Sequence, residues 1–124
     1  MSTYGPPRGR VSPPRRIDLL QGTLDLIVLR LLKGGPANGW DLTQTIQSMS
    51  KGTLAVNYGT LYPALHRLEA SGWISAKWGV TEKSRRARFY TLTAAGRRQL
   101  QTERKDWERF SNALALILRG GATP

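Results

Sequence analysis

The chain has 124 residues, and its 19 Lys and Arg against 8 Asp and Glu leave a formal net charge of +11. That excess favours polyanions, nucleic acid first and anionic membrane surface second. Solvated basic tails account for only part of it, because Arg67, Lys77, Lys83, Arg85, Arg86, Arg88, Arg97 and Arg98 lie well inside the chain. The absence of cysteine removes disulfides, thiolate metal sites and cysteine nucleophiles, and it fits a reducing, cytoplasmic setting. The longest apolar stretch, Leu24 to Leu32, is broken by Asp25 and Arg30; it is too short and too charged for a membrane span or a secretory signal. A chain of this size builds a modest core that gains from dimerisation.

Residues 1–16 alternate Pro6, Pro7, Pro13 and Pro14 with Arg8, Arg10, Arg15 and Arg16. Such a leader has almost nothing to bury and is expected to be disordered when free. A leader without specific contacts outranks the alternative of a basic arm that follows phosphates. The first helix is expected from about Asp18 to Lys33, since Leu24, Ile27, Val28, Leu31 and Leu32 recur at helical spacing and Gly34-Gly35-Pro36 stops them. Asn38 is a good N-cap for a second helix carrying Trp40, Leu42, Thr43, Ile46 and Met49, which breaks at Lys51-Gly52. Asp18, Asp25 and Asp41 read as exposed or capping residues of these helices.

In the third helix Leu61, Ala64, Leu65 and Leu68 share one face, and Gly59, Tyr62, Pro63, His66 and Arg67 share the other. Val56 before the cap and Leu61 are spaced for a hydrophobic staple. A start at Asn57 places Pro63 in the second turn, where it disfavours a regular helix, whereas a start at Thr60 places it in the first. The Asn57 start with a local distortion is preferred. Gly72 ends this helix. Trp73 to Trp78 then reads as a strand, Gly79 to Arg86 as a loop and Ala87 to Leu92 as a returning strand. Thr93 caps a last helix from Ala94 to about Arg119, closed by Gly120-Gly121.

The fold class is therefore mainly α with a small β-hairpin: a winged helix-turn-helix plus a C-terminal dimerisation helix. The boundaries are a leader at 1–16, the DNA-binding unit at 17–92, the dimerisation helix at 93–119 and a flexible tail at 120–124. An amphipathic helix followed by a basic hairpin, Lys83-Ser-Arg-Arg-Ala-Arg88, is what a winged helix-turn-helix uses to hold double-stranded DNA.

Several stretches in fixed order carry a more specific likeness: Leu20-Gln-Gly-Thr-Leu-Asp25, Gly35-Pro-Ala-Asn-Gly-Trp40, Gly59-Thr-Leu-Tyr-Pro-Ala-Leu-His-Arg-Leu-Glu69, Trp73-Ile74, Trp78-Gly79, Arg85-Arg86-Ala87 and Phe89-Tyr-Thr-Leu-Thr-Ala-Ala-Gly96. From about Leu20 to Arg119 the chain resembles the PadR-type transcriptional regulators, in their short form with one C-terminal helix. The resemblance implies a homodimeric bacterial repressor whose third helix enters the major groove, whose wing touches backbone or minor groove, and whose last helix builds the dimer. Trp40 departs from the family, in which Tyr often fills that place, and packing there is expected to tolerate the larger ring. The leader is not a family hallmark.

The expected DNA contacts are Asn57, Tyr58, Thr60, Tyr62, His66 and Arg67 on the third helix, and Lys83, Arg85, Arg86 and Arg88 in the wing. Tyr58 and Tyr62 are a turn apart, and Asn57 and Thr60 sit where helix N–H groups favour phosphate. The resemblance supports Thr60 and Tyr62 most directly. Half-buried packing of Tyr58 against the second helix is an equal reading. Arg67 fits a guanine or a phosphate. Strand alternation sends Arg86 and Arg88 to one face and Phe89 to the other, so not every arginine reaches DNA in one pose. In the last helix Leu100, Trp107, Phe110, Leu114, Ile117 and Leu118 approximate a heptad seam between protomers. A lesser reading makes Trp107 an aromatic plate for a flat hydrophobic effector, as drug-responsive family members suggest. A single histidine and scattered carboxylates assemble no nucleophile–base pair or metal site, so neither catalysis nor a cofactor is expected. Competing classes are a winged-helix RNA- or ribosome-associated protein and a protein-interaction module.

Overall fold

A computed structural model describes residues 17–18 and 21–120. The leader at 1–16 and residues 121–124 of the expected tail lie outside the described residues. The order is β1 (Ile17–Asp18), α1 (Gln21–Leu32), α2 (Gly39–Met49), β2 (Leu54–Ala55), α3 (Tyr58–Ala70), β3 (Ile74–Val80), β4 (Arg86–Leu92) and α4 (Ala94–Leu118). Three helices, an antiparallel wing and a final long helix thus follow in the expected order.

One core joins these elements. It takes Leu24, Val28, Leu29 and Leu32 from α1, Leu42 and Ile46 from α2, and Leu61, Ala64, Leu65 and Leu68 from α3. Ile74, Tyr90 and Leu92 close it from the base of the hairpin, and Leu100 closes it from α4. Leu29 is fully buried, while Ile27 and Leu31 pack at the margin. The inward face of α1 is therefore turned slightly from the one its spacing suggested.

Side-chain caps fix where α2, α3 and α4 begin. The Asp41 N–H donates to Asn38 Oδ1 at 2.8 Å, and the Asn38 N–H donates back to the Asp41 carboxylate at 3.5 Å, a capping box with Asp in place of Glu. After α2 the chain turns through Lys51 at φ 54° and Gly52 at φ 80°. The α3 cap is Asn57, whose Oδ1 accepts from the Thr60 N–H at 2.9 Å. Pro63 lies inside α3 and has no N–H to offer the Gly59 carbonyl, which sits on the exposed side of the helix. Thr93 accepts from the Gly96 N–H at 3.0 Å and donates to the Gly72 carbonyl at 2.7 Å. One hydroxyl thereby starts α4 and ties it to the end of α3.

Three expectations are corrected. Asp18 is not in the first helix: Ile17 and Asp18 pair in parallel with Leu54 and Ala55, and α1 starts at Gln21. A two-residue strand has no periodicity to detect. The wing is also longer than expected, because Gly79↔Ala87 and Val80↔Arg86 continue the ladder that begins at Ile74↔Leu92. Trp40 needs no packing tolerance, since it is 61% exposed. The turn between α1 and α2 is tacked to the sheet: Ala37 and Tyr90 exchange both backbone hydrogen bonds, at 3.1 and 2.9 Å.

Candidate nucleic-acid interface

Helix α3 divides as its spacing suggests. Leu61, Ala64, Leu65 and Leu68 are buried, whereas Tyr58, Gly59, Thr60, Tyr62, Pro63 and His66 are exposed. The rings of Tyr58 and Tyr62 lie 5.5 Å apart. Tyr62 rests on α2: a Cβ on Gly39 would stand 2.5 Å from the Tyr62 hydroxyl. A larger residue at that position would make the phenol shift. Asn57 is exposed but already spends its side-chain oxygen on the cap.

Arg67 does not stand on the open face. Its guanidinium donates to Asp25 Oδ1 at 3.0 Å, bracing α3 against α1. Asp25 is accordingly a half-buried ion-pair partner and neither an exposed nor a capping residue. Burial pushes its carboxyl above the ordinary aspartate range, and the hydrogen bond and charge of Arg67 offset only part of that cost.

At the wing tip, Thr81 Oγ1 accepts from the backbone N–H groups of Lys83 and Arg85, at 3.3 and 3.2 Å. The Thr81 N–H donates to the Arg85 carbonyl at 2.8 Å, and Ser84 takes the left-handed conformation at φ 61°. This turn leaves the side chains of Lys83 and Arg85 in solvent. Along the strands, Arg86 and Arg88 do share a face, with their guanidinium carbons 4.7 and 6.0 Å from the centre of the Trp78 ring. Phe89 is on the opposite side against Gly79, where a Cβ would come within 2.8 Å of the ring. Arg88 is not a free cation: it donates to Glu69 Oε2 of α3 at 3.0 Å. The partners of Arg67 and Arg88 lie 42 and 19 residues away, beyond the reach of any local pattern. Trp78 was also missed as part of this surface, although strand alternation opposite Arg86 and Arg88 could have found it.

Helix α4 is about 37 Å long at the usual rise. Its first turns are held by buried Gly96 and Leu100. Leu100 is therefore corrected from a seam residue to part of the protomer's own core, 3% exposed. Trp107, Phe110, Leu114, Leu116, Ile117 and Leu118 are all exposed, and the Trp107 and Phe110 rings lie 5.8 Å apart. Among the described residues, no three or more His, Cys, Asp or Glu are grouped to hold a metal ion, and no helix is long and apolar enough to cross a membrane.

The family described as Transcriptional regulator PadR-like matches residues 28–102, from α1 through the wing into α4. The chain belongs to the PadR-like family. Transcriptional regulator Rv3488 of Mycobacterium tuberculosis is 40% identical over 65 residues, covering 52% of this chain and 60% of that protein. A relative named uncharacterized protein X in Lysinibacillus sphaericus is 28% identical over 105 residues, covering 85% of this chain and 96% of that one. A solved transcriptional regulator from Clostridium thermocellum superposes with a TM-score of 0.71 at 27% identity, over 77% of this chain and 92% of that one. This PadR-like chain is thus a winged-helix member of a family of transcriptional regulators.

Proposed function

We propose that the protein is a cytoplasmic homodimeric repressor that occupies a pseudo-palindromic operator, with α3 in the major groove and the wing against the flanking backbone. The observation that carries this reading is the ion pair between Arg88 and Glu69, which sets the cationic hairpin beside a helix whose Tyr58–His66 face is uncovered. Tyr58, Thr60 and Tyr62 contact phosphates at the start of α3, and His66 extends the same face. Lys83, Arg85 and Arg86 supply the wing's charge. The apolar stripe of α4 from Trp107 to Leu118 pairs two copies, since each subunit leaves it in water. A twofold pair of reading helices calls for half-sites about 10 base pairs apart, or a multiple. A flat hydrophobic effector that stacks on Trp107 would change the pairing geometry and release one half-site, and titration of tryptophan fluorescence tests that step.

Selection of bound duplexes from a random pool tests the proposal. The expected product is an inverted repeat with regular spacing. Enrichment of no duplex, with structured RNA retained instead, would replace this reading with the RNA-binding one.

A further inference from the structure

Arg88 sits in the middle of the wing, where charge alone would assign it to a DNA phosphate. Its surroundings assign it elsewhere. One guanidinium nitrogen meets Glu69 Oε2 at 3.0 Å, with side-chain exposures of 39% and 33% for the arginine and the glutamate. Its Nε is buried without a hydrogen-bond partner among the described residues. Its guanidinium carbon lies 6.0 Å from the centre of the Trp78 ring, and Arg86 lies closer to that ring at 4.7 Å. Trp78 and Arg88 are direct cross-strand partners. The ion pair therefore joins the Trp78↔Arg88 rung of the hairpin to the last turn of α3, at a point where the ladder has left the core: Ile74, Tyr90 and Leu92 below it are buried, while Trp78, Val80 and Arg86 around and above it are exposed.

A two-stranded ribbon standing out from a core twists and swings easily, because few packed side chains hold its outer half. Glu69 supplies the holding point.

We propose that Glu69 is a positioning residue for DNA recognition: through Arg88 and the Trp78 ring it fixes the angle between wing and reading helix. Arg88 is spent inside the protein and makes no phosphate contact. This inference rests on the DNA-binding reading above. Under it, Glu69 improves affinity for a matched duplex although it is a carboxylate beside a polyanion. Removing its charge then weakens matched binding, the reverse of what simple electrostatics predicts.

The test compares wild type, Glu69→Gln and the exchanged pair Glu69→Arg/Arg88→Glu. Each is titrated against a duplex selected by the wild-type protein and against a scrambled duplex of equal length, over a range of salt. Glu69→Gln should lose roughly two- to fivefold in affinity for the selected duplex, the range expected for a half-exposed pair, with an unchanged salt slope and unchanged scrambled-duplex binding. The exchanged pair should recover selected-duplex affinity. Tighter binding of both duplexes by Glu69→Gln, with a slope steeper by about 0.9 per subunit, would mean that the freed Arg88 takes a phosphate and would overturn the proposal. Equal behaviour of variant and wild type, or no recovery in the exchanged pair, would overturn it as well. Wild-type protein that binds neither duplex would instead remove the DNA-binding reading, and this inference with it.

Discussion

Salt dependence offers the sharpest test of how the wing is used, because the cations in it are not equivalent. Among the described residues, Lys83, Arg85 and Arg86 have no carboxylate within ion-pair distance, whereas Arg88 is held by Glu69. Each phosphate neutralised contributes about 0.9 to the slope of log K against log salt. Replacing Arg85 and Arg86 together with alanine should flatten that slope by about 1.8 for each bound subunit. Between about 50 and about 200 mM salt, the variant would then lose roughly twelvefold less affinity than wild type if one subunit binds, and roughly 150-fold less if two bind. The measurement therefore also counts the wings engaged. Arg88→Ala, by contrast, should leave the slope alone. Fluorescence anisotropy of a labelled duplex at four or five salt concentrations reads both effects. An unchanged slope in the double variant, or an equal flattening in Arg88→Ala, would refute this division of labour.

Three further outcomes follow from the packing. Asp25 has a folded pKa raised by burial, so its contribution to stability is fully present below the unfolded value near 3.8 and is lost as pH rises through the folded one. Asp25→Asn should consequently change stability at neutral pH by less than about 1 kcal/mol, with a balance against wild type that improves as pH rises from 4 towards neutrality; a loss above about 2 kcal/mol in denaturant titrations would mean that Arg67 outweighs the burial cost. Gly96→Ala should destabilise by about 1–3 kcal/mol despite alanine's better helix propensity, because the added Cβ runs into the Trp73 carbonyl oxygen and Leu92; an unchanged melting temperature would show that α4 is not seated there. Phe110→Glu with Ile117→Glu should convert a dimer to a monomer in light scattering with little loss of protomer helicity, since both side chains are exposed in the protomer; a persistent dimer would place the subunit contact elsewhere.

Much of this architecture could be read from the residues. Asn38, Asn57 and Thr93 announce three helix starts because a cap is a local interaction spanning three residues. The buried face of α3 follows from helical spacing, and the order of strands follows from Gly72 and the wing's charge. What could not be read depends on distance along the chain. Arg67 looked exposed because helical spacing places it beside His66, while its partner Asp25 comes from a helix packed against it. Leu100 fitted a seam by heptad counting, but only the tertiary fold shows that the first turns of α4 close the protomer's core. The pairing of Ile17 with Leu54 left no trace in either segment.

That short parallel pairing has a practical consequence. Residue 17 pairs alongside Leu54, three positions before the Asn57 cap, so the described fold begins next to the start of α3. Under the DNA-binding proposal, an affinity tag or fluorescent protein joined directly ahead of residue 17 would crowd the groove assigned to that helix. Material produced with such a fusion should have it cleaved before any binding constant is taken from it.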